Sequence, residues 1–527
     1  MNRFIRSTLV TAVALVAGVA CTDPTVAPKS TINSETVFSE VSAYRSLLAK
    51  VYAGLAVSGQ QGPGGSPDIS GLDEGFSQYW RLYWQMQTLP TDDAVIAWGD
   101  QALSELNTQL WSSSNPFLNA MYYRVYFQVA MANVLLRETS NAKLDARNVP
   151  GAVRTEIATY RAEARFLRAL SMYHGMDMFG SIPIVDENTT VSSPPDQATR
   201  AQVYAFIVSE LNALRNELPA VGAAEYGRVD QGSVAMLLAK VYMNAGVYTA
   251  TTRYTEAMAE VQTIISSGAY SIDPSYRRMF TPDNHNSPEM IFAIPQDGLR
   301  MRNYGGTTFL IHANVGGPLN AANFGVNGGW WGLRMRPETR ALFTGGIGAG
   351  APDGRASFWA NMNTVNITNM SDFQEGTAAP KYTNRTIGGV NGQDLEFTDT
   401  DVPMWRLGDV YLMYAELQRR GGGGVEATAV GYINALRQRA YGDATGNIVA
   451  ATMTLDFILA ERGRELYMEG HRRQDMIRYG LFTGATRVWT FKGGPAAGTS
   501  TAAFRDLYPL PASELIANKK LTQNTGY

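Results

Sequence analysis

Among 527 residues there is one cysteine and there are four histidines. A lone thiol permits no internal disulfide and no thiolate zinc site, so stability has to come from packing. Charge is scarce too: Asp, Glu, Lys and Arg make up 17% of the chain, where an average soluble domain has about 25%. A formal net charge of −3 offers no basic face to a phosphate backbone and excludes nucleic acid as the partner. His174, His285, His312 and His471 show neither metal-ligand spacing nor a recurrent Ser or Cys partner, and they read as structural. No cofactor or metal is called for. The glycine run Gly421 to Gly424 lacks the Lys-Ser/Thr ending of a phosphate loop and reads as a turn. After residue 21 no apolar run reaches the roughly 20 residues that a membrane-spanning helix requires. Gly, Asn, Thr, Tyr and Trp are plentiful instead, a balance suited to a neutral polar partner such as a sugar.

The one apolar run stands at the start. Arg3 and Arg6 precede a hydrophobic stretch from Leu9 to Ala20 that ends in small residues and Cys21, the pattern of a bacterial export signal. Gly18-Val19-Ala20-Cys21 resembles the bacterial lipobox, with Gly18 where a larger aliphatic residue is usual. Residues 1–20 are thus expected to be a lipoprotein signal peptide, and Cys21 the lipid-modified first residue of the mature chain. Acyl chains on Cys21 would hold the protein to a membrane at about 0.8 kcal/mol per buried CH₂. Residues 21–34, with Pro24 and Pro28 among small polar residues, cannot bury a core and read as a flexible tether.

Helical periodicity covers much of the remainder. Ile157, Tyr160, Ala164, Leu167, Ser171 and His174 follow a three-four alternation that predicts one long amphipathic helix over 153–179. Gly180 and Pro183 end it and begin an extended stretch, Ile182 to Val185. A second helix carries Val203, Phe206, Ile207, Leu211 and Leu214 and stops before Pro219. Leu238, Ala239 and Tyr242, then Tyr254, Ala257, Val261 and Ile264, predict a tetratricopeptide-like helix pair in which small residues allow close approach. Another pair is expected from Trp405 to Leu417 and Ala427 to Ala440, joined at Gly421 to Gly424. Residues 59–75, 284–331, 344–391 and 483–501 are rich in Gly, Asn, Ser and Pro and lack a period. Loops of such length are usually functional or else partly disordered, and the aromatics clustered in three of these favour function.

Four stretches resemble the SusD/RagB family of outer-membrane nutrient-binding lipoproteins. The strongest is Glu461-Arg462-Gly463-Arg464-Glu465-Leu466-Tyr467-Met468-Glu469-Gly470-His471-Arg472-Arg473-Gln474-Asp475, continuing to Gly480. The others are the closing Tyr508-Pro509-Leu510-Pro511 with Gln523-Asn524, Ala162 to Leu170 leading to Phe179-Gly180-Ser181-Ile182-Pro183, and Arg406 to Glu416. Gly408-Asp409 and Tyr479 depart from the commoner Ala-Glu and Trp. The resemblance implies a mostly α fold, with tetratricopeptide-like helix pairs, long irregular loops and minor β. It implies one domain over 35–527, its helices mainly in 35–270 and 402–482 and its irregular ligand-face segments in 59–98 and 284–400. It further implies a non-catalytic surface lipoprotein that captures an oligosaccharide and passes it to a SusC-like TonB-dependent transporter. A surface glycoside hydrolase and a tetratricopeptide scaffold for peptides are the alternatives.

Sugar rings stack their C–H faces on indole and phenol rings while side-chain amides, carboxylates and guanidinium groups serve the hydroxyls. Two aromatic segments have that mixture, and in the family the ligand contacts come from these regions. From residues 79–98 come Tyr83, Trp84, Asp92, Asp93 and Trp98 as candidates; from residues 320–334 come Asn327, Trp330, Trp331 and Arg334. Helical spacing favours core packing for Trp80 and Trp84. Of the consecutive Trp330 and Trp331, alternation allows one at most to face a ligand. Asp92 and Asp93 are too close in sequence to make a glycosidase pair. Glu461, Glu465 and Glu469 recur at one-turn spacing among arginines and read as ion-paired rather than catalytic.

Overall fold

Helices supply the frame, and local chemistry sets their limits. The computed structural model describes residues 34–63, 65–189, 193–356, 358 and 364–527. The expected leader, Cys21 and all of the tether except Ser34 lie outside the described residues; Ser34 opens a short helix, Ser34–Val37. Helix α1 spans Ser42–Ala56. Helix α2, Tyr79–Thr88, begins where the Gln78 side chain accepts a hydrogen bond from the Arg81 amide, and strand β1 follows at Ala94–Ile96. Helix α3, Pro116–Glu138, combines an Asn115 cap with proline at its first position. Helix α4, Gly151–Phe179, stops at Gly180, which takes φ +76°. Capping boxes start α5, Arg200–Ala213, at Thr199 and α6, Gln231–Met243, at Asp230. Then come α7, Tyr254–Ser266, β2, Met290–Ile294, α8, Gly306–Asn314, β3, Leu333–Met335, and β4, Val402–Arg406. Helices α9, Leu407–Arg419, α10, Glu426–Tyr441, α11, Leu455–Leu466, and α12, Arg472–Arg478, lead into the C-terminal segment.

The expected pairs form: α6 packs on α7 and α9 on α10, while α7 also meets α9. A buried apolar cluster running from Phe38 to Leu521 joins them to the pair α3 and α4. Two expectations are corrected. Trp405 and Arg406 belong to a strand, because β4 pairs antiparallel with β2 and sets Trp405 against Phe292, ring centroids 5.6 Å apart. Within the stretch expected to be irregular, residues 306–314 are helical; all nine residues are buried, so no amphipathic period exists to be read. Among the described residues no helix is long and apolar enough to cross a membrane.

The charged block from Glu461 is buried and paired, largely with partners distant in sequence. Arg355 bridges Glu461 and Glu465 at 2.7 and 3.0 Å; Arg406 reaches Glu289, Glu465 and Glu469; Lys381 meets Glu469 at 2.7 Å. Local pairs are fewer, with Arg464 on Glu461 and Arg478 on Asp475. Burial opposes charge on Glu461 and Asp475, but the arginines around them, Arg355, Arg464 and Arg437 about the first and Arg462 and Arg478 about the second, together outweigh it and hold both carboxyls at about 2. With the folded pKa depressed, their contribution to stability is present above the unfolded values of 4.5 and 3.8 and is lost as pH falls toward 2. Thermal melts are expected to show Tm dropping steeply across that window. Replacing Arg406 by Met takes one cation from each of three buried carboxylates, leaving Glu289 to Arg439, Glu465 to Arg355 and Arg439, and Glu469 to Lys381, and is expected to cost about 3–5 kcal/mol in denaturant unfolding.

Candidate functional site

Strands β1 and β3 pair antiparallel, Ala94 opposite Met335, Val95 opposite Arg334 and Ile96 opposite Leu333. The ladder continues with the Ala97 amide donating to the Gly332 carbonyl at 2.9 Å. This register carries Trp98 to the residues that precede β3, and its Nε1 donates to the Trp331 carbonyl at 2.7 Å. Trp330 stacks on His312 (5.0 Å, 22°) and tilts 59° to Trp98 at 6.1 Å. Tyr304 stands edge-on to Trp330 at 5.8 Å, its hydroxyl donating to Glu396 at 3.0 Å. The three partly exposed rings border a cleft of about 480 Å³ that Asp73, Phe76, Arg81, Asp100 and Glu396 also line.

Arg81 braces this cleft from beneath. Its guanidinium lies 4.5 Å from the Phe309 ring and 5.7 Å from the Trp98 ring, and Nη1 donates to the carbonyls of Gly75 and Tyr304. Burial pulls its pKa down to about 10, against the attraction of Asp73 and Asp100. Three carboxylates to one guanidinium leave the lining net negative, which disfavours an anionic ligand. A second cavity, about 820 Å³, lies between α1 and β2 and is walled chiefly by apolar side chains such as Leu48, Ala53, Leu55 and Ile294. Polar side chains, among them Arg45, Gln60, Gln61, Glu225 and Tyr226, also line it.

Of the candidates from sequence, Trp98 and Trp330 meet in the cleft. Asn327 is exposed but does not line it. The other six serve the interior. Trp331 is 6% exposed and packs with Leu319 and Ala378; it lies outside the strand with φ +57°, so its direction is set by a left-handed backbone and not by the alternation expected of an extended segment. Tyr83 lies against His174, ring centroids 4.2 Å apart, and Trp84 donates through Nε1 to the Met468 carbonyl. Asp92 takes a bidentate pair from Arg472 and a further contact from Arg487; these hold its carboxyl below the usual range despite burial. Asp93 accepts from the Met468 amide, and burial raises its pKa to about 6. Arg334 is spent on the carbonyls of Met370, Asp372 and Glu375. Each of these polar groups is buried because it satisfies backbone or an opposite charge that the fold brings to it.

Sequence reasoning passed over Asp73, Arg81, Asp100, Tyr304 and Glu396. Only Tyr304 carried a usable signal, an aromatic ring followed by Gly305-Gly306 in an aperiodic stretch, the same signal that marked Trp98. Among the described residues no group of His, Cys, Asp and Glu is placed to hold a metal ion.

A SusD family profile matches residues 353–527, and one described as "Starch-binding associating with outer membrane" matches residues 77–243. The starch-binding protein SusD of Bacteroides thetaiotaomicron is 31% identical, over 91% of this chain and 92% of its own. This chain belongs to the SusD family. SusD-like protein P25 of Formosa agariphila is 27% identical, over 75% of this chain and 78% of its own. The fold of this SusD-family chain matches surface glycan-binding protein A of B. thetaiotaomicron in complex with laminarihexaose: TM-score 0.68, 22% identity, 92% of this chain and 99% of that one. A SusD superfamily protein of Parabacteroides distasonis gives TM-score 0.70 at 20% identity, over 94% of this chain and 100% of that one.

One residue controls how the two strands meet Trp98. Gly332 has φ +103°, and a Cβ there would stand 2.9 Å from Trp98 Nε1 and 3.0 Å from Phe373. Gly332→Ala is expected to lose about 1–3 kcal/mol of stability and to shift tryptophan fluorescence as Trp98 is displaced, read in parallel on the folded protein.

Proposed function

We propose that this protein is a non-catalytic glycan receptor that holds a neutral glucan in the Trp98–Trp330–Tyr304 cleft. The convergence of those three rings carries the reading. Each offers a face to the apolar side of a pyranose, while Asp73, Asp100 and Glu396 accept hydroxyl protons around them. The rings tilt by 59° and 68° to one another, so they make a curved cradle and not a flat plate. A curved glucan of the starch kind fits such a cradle better than a ribbon-like chain. The sequence kinship with the starch-binding SusD supports the same choice. The carboxylates have positioning partners: Glu396 takes the Tyr304 hydroxyl and Asp73 the Phe76 amide. Family membership likewise speaks for capture without hydrolysis.

The protein associates with the outer membrane, with Cys21 lipidated and the cleft outside the cell, and it delivers its glycan to a SusC-like TonB-dependent transporter. The leader pattern and the family support this placement.

Trp98→Ala and Trp330→Ala are each expected to weaken binding of maltoheptaose by about 1–3 kcal/mol in calorimetry, by analogy with aromatic–base stacking. Tyr83→Phe, buried away from the cleft, is expected to leave it unchanged. Full affinity in both tryptophan variants would refute the site. Because the ligand is uncharged, affinity is expected to vary little between 0.05 and 0.5 M salt, roughly a threefold span of Debye length; binding that collapses with salt would point to an anionic glycan.

A further inference from the structure

A second opening of nearly the same size, about 490 Å³, repeats the chemistry of the first. Its aromatic wall is Tyr226, a residue 43% exposed, unusual among the tyrosines of this chain. The ring is held still: its hydroxyl donates to Asp401 at 2.7 Å, the other Asp401 oxygen accepts the Gln296 amide at 2.8 Å, and His285 stands edge-on at 6.3 Å. A fixed, exposed ring loses little freedom when a ligand stacks on it. Around it stand Asn391, Gln393, Asp297 and Asp399, amides and carboxylates that can serve hydroxyl groups. Asp399 is already engaged by the amides of Gly298 and Gln393, so this rim too is built in advance.

The two openings are joined by one short piece of chain. Phe397 packs on Tyr304 of the aromatic cleft, centroids 5.4 Å apart, and Asp401 anchors Tyr226. Four residues of backbone cannot span more than about 14 Å, so both ends lie within reach of a single polysaccharide. Resting on the glucan-binding reading above, we infer that Tyr226 and its amide and carboxylate rim form a second contact for the same neutral polysaccharide, engaged by long chains and not by short ones. Simultaneous engagement raises affinity for polymer without altering the first cleft. The carboxylate-rich rim, like that of the first cleft, is suited to an uncharged chain.

The test compares wild type, Tyr226→Ala and Tyr226→Phe on maltotriose and on soluble starch by calorimetry and affinity electrophoresis, with laminaritriose and laminarin run in parallel. Tyr226→Ala is expected to lose about fivefold or more in affinity for the polymer, the lower end of ring stacking, with trisaccharide binding unchanged. Tyr226→Phe keeps the ring and is expected to stay near wild type on both. Polymer affinity equal to wild type in Tyr226→Ala overturns the second contact while leaving the first cleft standing. Equal losses on trisaccharide and polymer also overturn it, since Tyr226 would then act through the first cleft. Failure of wild type to bind either trisaccharide removes the reading on which this inference rests.

Discussion

Buried carboxylates on and just after α11 organise this protein. Glu461, Glu465 and Glu469 are buried, and each is neutralised by cations delivered from elsewhere: Arg355 and Lys381 from the long loops, Arg406 from β4 and Arg439 from α10. A buried ion left unpaired costs several kcal/mol, so these segments are compelled to converge. The convergence propagates to the site. Met468, one residue before Glu469 and held at φ +57°, gives its amide to Asp93 and receives Trp84 Nε1 on its carbonyl. Asp92 is clamped by Arg472 a few residues on. Residues 84–93 are thereby pinned against the C-terminal block, and β1 leaves that clamp pointed so that Trp98 emerges at the rim of the cleft.

The cleft itself depends on a very small sheet. Three residues of β1 opposite three of β3 are enough, because the register carries over to Ala97 and Gly332, where the positive φ of Trp331 (+57°) and Gly332 (+103°) turns the chain out of the strand. Trp330 turns outward over His312 while Trp331 turns into a pocket of Leu319 and Ala378. Arg81 then supports Trp98 from below and ties the loop at Gly75 to the loop at Tyr304. Binding groups come from five separated parts of the chain, and the rings are braced by Trp98 donating to the Trp331 carbonyl, Tyr304 to Glu396, and Trp330 stacking on His312, an arrangement that keeps exposed rings still. Rigid, partly wet aromatics suit a ligand whose own faces are weakly apolar and whose edges carry hydroxyls.

Much of the frame could be read from periodicity. The long helix α4 and its end at Gly180, the pair α6 and α7 and the turn at Gly421 to Gly424 follow from apolar spacing and from glycine. Helix α8 was illegible because it is buried all round, and β4 because five residues that include Pro403 and run straight into a helix carry no clear local mark of a strand. In the site, Trp98 and Trp330 stood out as rings in glycine-bounded loops. Asp92, Asp93, Trp84 and Arg334 share the composition of a sugar site, and composition cannot tell a polar group that faces solvent from one that answers a buried partner hundreds of residues away.

The sequence by itself determined the helical class, the end of α4 at Gly180 and the family signature, because these depend on neighbours within a few residues. Tertiary structure alone decided which aromatics face outward and which carboxylates are consumed by arginines. Those outcomes hang on contacts such as Asp92 with Arg472 and Trp98 with Trp331, made between segments that only the completed fold brings within hydrogen-bonding distance.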